Sequence, residues 1–156
     1  APREEPTPAP APEARPEPPP AVAAPAPAPE VRKRGKPRAM PVRRFDVATD
    51  CRFADPNGYG ASMRLKVAQS TVQVFEARVE VPKRGSCEFV LKDFVQTASL
   101  PSVRLSAPGS RCAVHIWEQE DSVTVAFTDC AERCRPQSAF DYVWPIMTNR
   151  VKGGCS

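Results

Sequence analysis

The stretch that decides the fold is residues 63–81, MRLKVAQSTVQVFEARVEV. From Met63 to Val67, apolar and polar side chains alternate, which is the two-residue period of a half-buried β-strand. The apolar phase then slips by one residue between Val74 and Phe75. Such a slip predicts a β-bulge inside a long strand. The stretch therefore predicts strands of an antiparallel sheet.

Outward from this stretch, short runs of the same period recur along the chain. They lie at residues 87–91, 103–105, 112–116 and 123–127. Turn sequences separate them, because proline presets φ and Asn-Gly supports positive φ. These are DPNG at 55–58, PKRG at 82–85, APGS at 107–110 and a polar hairpin connection at 118–121. About five to seven strands at this spacing predict an all-β domain, a small antiparallel β-sandwich or barrel.

Six cysteines all fall in this β-rich part of the chain. They are Cys51, Cys87, Cys112, Cys130, Cys134 and Cys155. An even number spread over a small domain predicts a disulfide framework, and hence an oxidising compartment. The alternatives are reduced thiols or zinc, but zinc sites usually pair Cys-x-x-Cys knuckles with histidines. We favour a bond from Cys130 or Cys134 to Cys155, because it closes the region that lacks strand periodicity.

The N-terminal part has a different composition. Fourteen of the 20 prolines lie in residues 2–41, and residues 1–30 are almost entirely Pro, Ala and Glu with a little Arg. Such a segment has no apolar face to bury and cannot offset its ordering entropy. We therefore predict a disordered spacer of polyproline II character at 1–30, a basic extended linker at 31–44, and the disulfide-stabilised β domain at 45–156.

The basic linker carries seven positive charges and no negative one. They belong to Arg32, Lys33, Arg34, Lys36, Arg38, Arg43 and Arg44. Residues 1–44 account for the whole net charge of +4, since the remaining 13 basic and 13 acidic side chains balance. These seven residues are predicted to bind an envelope polyanion or to touch a membrane surface peripherally. The alternative is a solubilising linker, and the absence of interleaved aromatic residues argues against nucleic acid.

The start of the chain bears on its compartment. The sequence opens at Ala1 without a methionine, and no stretch approaches the ~18 apolar residues of a membrane span. With the cysteine count, this leads us to expect a mature periplasmic or secreted protein whose export signal has been removed.

Catalysis would have to use His115, the single histidine. It lies in a strand-like run, and no neighbouring motif supplies a nucleophile. A hydrolase using His115 with the carboxylates of Glu118, Glu120 or Asp121 is therefore kept only as an alternative. We predict no enzymatic activity, no cofactor and no metal.

The segment YVWPIM at residues 142–147 is the best candidate for recognition. Tyr142, Trp144 and Met147 belong to residue types that are enriched in interface cores, and Pro145 suits a sheet edge or a protruding loop. The alternative is that this segment fills the bottom of the core. The sequence thus predicts a non-enzymatic binding module of the bacterial envelope with a protein or cell-wall partner, inhibitor-like in one form. A structural part of an envelope assembly, held by its arm, is the second hypothesis.

Overall fold

The computed structural model describes residues 42–156, which contain ten β-strands and three short 3-10 helical turns. The strands are β1 Val47–Ala54, β2 Gly60–Ala68, β3 Thr71–Val81, β4 Gly85–Val90, β5 Val95–Ala98, β6 Val103–Ser106, β7 Ala113–Gln119, β8 Ser122–Thr128, β9 Cys134–Arg135 and β10 Ile146–Asn149. The 3-10 turns are Leu91–Asp93, Ala131–Arg133 and Gln137–Tyr142. The predicted spacer at 1–30 and most of the predicted basic linker lie outside the described residues.

The strands form two antiparallel sheets of five. Sheet A has the order β1-β2-β3-β4-β9, and sheet B has the order β10-β8-β7-β6-β5. This confirms the all-β antiparallel fold and makes it a sandwich. The expected five to seven strands were too few, because β1, β5, β9 and β10 at the sheet edges were missed. The two-residue β9 carries too little periodicity of its own and is defined by its neighbours, whereas the eight-residue β1 does alternate between buried or half-buried and exposed residues.

The inner faces of the two sheets share one apolar core. Phe89 of sheet A stacks on Phe127 of sheet B with ring centroids 4.2 Å apart. Phe75 meets Phe94 edge-on at 6.4 Å. The packing therefore runs across both sheets and does not line an open barrel.

The predicted bulge is confirmed in β3. Lys66 pairs with Val74, whereas the next residue of β2, Val67, pairs with Val72, so that Gln73 is the extra residue. Because of this insertion, Val72 and Phe75 both face the core.

All six cysteines form disulfides, as predicted, but the favoured pairing was wrong. The bonds are Cys51–Cys155, Cys87–Cys134 and Cys112–Cys130. Cys155 reaches Cys51 because the C-terminal residues run along β10, where Ser156 and Met147 exchange two backbone hydrogen bonds of 2.8 Å. Threonine hydroxyls 3.3 Å apart on β10 and β1 show that these two strands lie side by side.

Successive hairpins of a meander place their turns at opposite ends of the sheet. The turns after β1 and after β3 therefore share one end, and an ideal Cβ on Gly58 would lie 3.5 Å from that of Pro82. We call this the turn end. At the other end, Phe45 donates its N–H to Ser70 Oγ at 3.0 Å and accepts the Ser70 N–H at 2.9 Å. We call that the entry end, because the described chain enters the sandwich there.

None of the helical segments in residues 42–156 has both the length and the hydropathy needed to cross a membrane.

Candidate functional site: an aromatic cluster at the turn end

Five residues from three segments come together at the turn end. The cluster, here called the aromatic end, consists of Phe53, Tyr59, Arg84, Tyr142 and Trp144. The first two flank the turn after β1, Arg84 belongs to the turn after β3, and the last two belong to the segment that leads into β10. The sheet topology thus gathers residues that are up to 91 positions apart in the chain.

The turn after β1 is rigid and sets the position of Tyr59. Asp55 Oδ1 accepts the backbone N–H of Asn57 at 2.8 Å and that of Tyr59 at 3.1 Å, and Gly58 takes a φ of +96°. The predicted DPNG turn is therefore confirmed, and its aspartate acts as a cap on the loop.

Tyr59 connects this turn to the segment before β10. Its hydroxyl oxygen accepts the backbone N–H of Trp144 at 2.9 Å, and its ring lies 6.4 Å from that of Phe53. Burial raises the pKa of Tyr59, the hydrogen bond from Trp144 opposes this, and the Asp55 carboxylate adds to it. Tyr59 therefore keeps its phenolic proton at and above neutral pH.

Tyr142 ends the 3-10 turn Gln137–Tyr142, and the guanidinium of Arg84 lies 4.2 Å from its ring centroid. Cation–π contacts of this kind hold both side chains in place. Tyr142 remains 41% exposed, and Trp144 is 70% exposed. Only Ile146 from the predicted segment is buried, so the core-filling alternative holds for that side chain and not for the two aromatic ones.

Met147, the third predicted partner-binding residue, lies in β10 opposite Thr124 of β8. Its side chain is 44% exposed on the outer face of sheet B, in the cross-strand row that also contains Trp117. The structure therefore places Met147 on the flat face of sheet B and not in the aromatic end.

His115 also lies on the outer face of sheet B. Its cross-strand neighbours are Arg104 and Ala126, neither of which is a nucleophile or a carboxylate. The Glu118 carboxylate is engaged elsewhere, by Arg43 and Arg150. Within residues 42–156, no three or more His, Cys, Asp or Glu side chains are grouped in a way that could hold a metal ion.

Two of the predicted polyanion-binding residues fall inside the described part of the chain. Arg43 Nε donates to Glu118 Oε1 at 2.9 Å, and Arg150 Nη1 lies 2.8 Å from the other carboxylate oxygen. Arg150 also donates to the backbone carbonyl of Glu120. Arg44 is exposed. The positive charge of Arg43 is thus partly neutralised at the entry end, whereas the other five predicted basic residues lie outside the described part.

Replacing Glu118 with glutamine should lower the free energy of unfolding by about 1 kcal/mol, because two arginines lose a shared carboxylate. Thermal denaturation at low and high salt measures this. The loss of unfolding free energy should be smaller in 1 M salt, where the Debye length is about 3 Å. As a control, Glu76→Gln removes an exposed carboxylate 3.6 Å from Arg64 and should have little effect. Equal effects of the two changes would contradict the special role of Glu118.

On the outer face of sheet A, oppositely charged side chains of neighbouring strands lie beside one another. Asp50, Arg64 and Glu76 stand side by side on three neighbouring strands, with Arg64 3.8 Å from one carboxylate and 3.6 Å from the other. Alternating charges of this kind solvate a sheet face and discourage association. This face is therefore a poor candidate for a specific interface.

Tyr59 and Arg84 were missed as candidates from the sequence. Both belong to turn sequences that were identified, DPNG followed by Tyr59 and PKRG containing Arg84. The available signal was topological: in a meander, every second turn returns to the same end. Combining that rule with the two turns would have placed these residues together.

No known protein family matches this chain, and no characterised protein or solved structure shows significant similarity to it. Its function must therefore be inferred from the placement of its own residues.

Proposed function

We propose that the domain is a non-enzymatic binding module that recognises its partner through the aromatic end. The observation that carries this proposal is the state of Trp144, which is 70% exposed while its backbone is hydrogen-bonded to Tyr59. A large apolar side chain that is exposed on a fixed stretch of backbone gains free energy when a partner covers it.

The rigidity of the cluster supports the same proposal. Tyr142 is held against Arg84, and Tyr59 is fixed by the capped turn and by its hydrogen bond to Trp144. Side chains that are already ordered lose little conformational entropy on binding, so more of the contact energy appears as affinity. Tryptophan, tyrosine and arginine are also the residue types that most often dominate interface energetics.

The disulfides support the compartment that we propose. Three disulfide bonds are consistent with maturation in an oxidising environment, outside the reducing cytosol. We propose the bacterial periplasm or the extracellular space, with a protein or cell-wall component as partner. An inhibitor of a cell-wall hydrolase is one form that such a module takes. The basic linker would add adhesion to anionic envelope polymers or peripheral contact with a membrane, and nucleic acid is not the proposed partner.

Replacing Trp144 with alanine should abolish partner retention while leaving the fold intact. The full chain, its Trp144→Ala variant and a Val151→Ala variant serve as baits in an envelope extract of the source cell. Val151 is 73% exposed in the turn after β10, so its removal controls for the loss of exposed apolar surface. A partner retained by wild type and Val151→Ala but lost with Trp144→Ala supports the proposal. Retention by all three baits would locate binding elsewhere.

Met147→Ala in the same assay determines how far the surface extends. Weaker retention would add the outer face of sheet B to the interface, whereas unchanged retention would confine it to the aromatic end.

A structural role in an envelope assembly is the second candidate. The observation that favours it is the anchoring of the described chain at the entry end, where Phe45 is buried and Arg43 is paired with Glu118. In an assembly, deletion of residues 1–41 should abolish incorporation. A binding module would keep its affinity after the same deletion, which makes this comparison decisive.

A further inference from the structure

The outer edge of β1 is the longest regular strand edge that residues 42–156 leave without a neighbouring strand. β1 has eight residues and pairs with β2 without a register shift. Of the other edges, β9 has only two residues, and β5 has four with an irregular register. The edge of β10 is covered by the C-terminal residues, because Ser156 and Met147 exchange backbone hydrogen bonds there. A long and regular strand edge is a template for pairing with another chain.

The hydrogen-bond pattern of the β1–β2 hairpin shows which backbone groups of β1 point away from the sheet. Asp55 donates its N–H to the Tyr59 carbonyl at 2.8 Å, directly after the last pair of the ladder. Hydrogen-bonded and non-hydrogen-bonded positions alternate along an antiparallel ladder. The odd-numbered residues of β1 therefore bond to β2, and the even-numbered ones direct their N–H and C=O groups outward. These outward residues are Ala48, Asp50, Arg52 and Ala54.

The outward residues of β1 are accessible. All four have exposed side chains on the outer face of sheet A. The contacts of β1 with β10 and with the C-terminal residues come from the core side of the strand, through the side chains of Thr49 and Cys51. The packing of β10 against β1 therefore leaves the outer backbone edge open.

This edge is complementary to itself about a two-fold axis at Cys51. Two antiparallel copies of β1 related by that axis place Asp50 opposite Arg52 of the second copy, and Arg52 opposite Asp50 of the second copy. Ala48 and Ala54 pair in the same way at the ends of the strand. Every outward residue then faces another outward residue, and each of these four pairs can exchange two hydrogen bonds. Opposite charges that lie directly across two strands stabilise the pairing.

The charges select this register over its neighbours. Sliding the two strands by two residues would place Asp50 opposite Asp50, or Arg52 opposite Arg52, and like charges in that position are destabilising. The Asp50 carboxylate is 81% exposed beside Arg64, so it can accept a second arginine. On the core side, the selected register places half-buried Phe53 opposite Thr49 of the second copy, which is a favourable aromatic and β-branched pair.

We propose that the protein forms a two-fold symmetric homodimer in which the outer edges of β1 pair antiparallel about Cys51. The pairing joins the two five-stranded copies of sheet A into one continuous sheet. The interface is closed, because each copy has one such edge and both edges are used. Antiparallel pairing directs the two turn ends in opposite directions, so the dimer presents two aromatic ends. The inference does not depend on what the aromatic end binds.

Analytical ultracentrifugation of the full chain over a concentration series tests the dimer. We expect a reversible transition to twice the mass of one chain. Asp50→Arg and Arg52→Asp each convert both charge pairs into like-charge pairs, so each should weaken dimerisation about tenfold or more. Lys66→Asp is the matched control, because it changes the net charge as Arg52→Asp does, at an exposed position of β2. It should leave the dimerisation constant unchanged.

Two results of this experiment would overturn the inference. One is a wild-type chain that stays monomeric at every concentration. The other is a dimer that is as stable in Asp50→Arg as in the wild type, because its interface would then lie elsewhere.

A mixture of the two single variants tests the register. An equimolar mixture of Asp50→Arg and Arg52→Asp restores both opposite-charge pairs across a heterodimer, so the dimer should reappear. The double variant Asp50→Arg/Arg52→Asp should form a homodimer like the wild type. If the mixture and the double variant both remain monomeric, the pairing of residue 50 with residue 52 is wrong.

Amide hydrogen exchange tests the backbone pairing. The N–H groups of Asp50 and Arg52 should exchange fast in dilute, monomeric protein and slowly in the dimer. Those of Thr49 and Cys51 bond to β2 and should exchange slowly at both concentrations. Slow exchange of the Asp50 N–H in the monomer would overturn the inference, because another segment of the same chain would then cover the edge.

Discussion

Replacing Gly85 with alanine is expected to lower the free energy of unfolding by about 3–5 kcal/mol, since positive-φ strain adds to a steric overlap. Gly85 begins β4 with a φ of +137°, a conformation that is nearly exclusive to glycine. Its missing side chain makes room for β9: a Cβ there would overlap the carbonyl oxygen of Arg135 and lie 2.8 Å from Pro136 Cδ. The backbone of β9 would have to move away from β4.

Thermal unfolding followed by circular dichroism measures this effect. For a domain of this size we expect the melting temperature to fall by about 10–25 °C. Gly109→Ala is the matched control, because Gly109 also has a positive φ, +74°, but has nothing within 4 Å of the position of an added Cβ. Gly109→Ala should lower the free energy of unfolding by about 1–2 kcal/mol, through the strained backbone conformation alone. If both substitutions cost the same, the close approach of β9 to β4 contributes nothing to stability.

Removing the Cys51–Cys155 disulfide should be the second large effect. The two cysteines are 104 residues apart, so their bond constrains nearly the whole unfolded domain. A loop of that size is expected to stabilise the folded state by about 4–5 kcal/mol through the entropy of the unfolded chain. The double variant Cys51→Ala/Cys155→Ala should therefore unfold at a much lower denaturant concentration while keeping the same strand content.

A non-covalent link between β1 and β10, the strand along which the C-terminal residues run, serves as the comparison. Thr148 on β10 donates to Thr49 Oγ1 on β1 at 3.3 Å, and Thr49→Val removes that contact. We expect it to cost about 0.5–1 kcal/mol, the usual contribution of one hydrogen bond. Digestion of the unreduced protein followed by mass spectrometry checks the pairing itself. A peptide joining Cys155 to Cys130 or Cys134 would refute the arrangement in the structure.

The aromatic end shows how far sequence reasoning reached towards a candidate site. Tyr142 and Trp144 were identified because their residue types are enriched in interface cores and because Pro145 suits a sheet edge or a protruding loop. Whether they would fill the core or face water depended on where β10 begins. That start is set by the pairing of Ile146 with Val125 of β8, a contact between residues 21 positions apart. The local sequence does not specify which distant residue Ile146 will pair with.

For the disulfides, too, the sequence predicted one part and the tertiary structure decided the other. Their existence followed from six cysteines in a small domain, whereas the pairing depended on which strands become neighbours. Cys155 was expected to staple the nearby irregular region, because proximity in sequence was the only guide. In the folded chain the C-terminal residues add to the edge of β10, beside β1, and this brings Cys155 to Cys51.

The sequence by itself determined the all-β class, the central strands, the bulge in β3, the tight turns and the presence of disulfides. Each of these depends on local properties: side-chain period, turn chemistry and composition. Only the tertiary structure decided the division into two sheets, the four edge strands, the disulfide pairing, and the contacts of Tyr59 with Trp144 and of Arg84 with Tyr142. These depend on contacts between distant segments, which form when two sheets bury their apolar faces against each other.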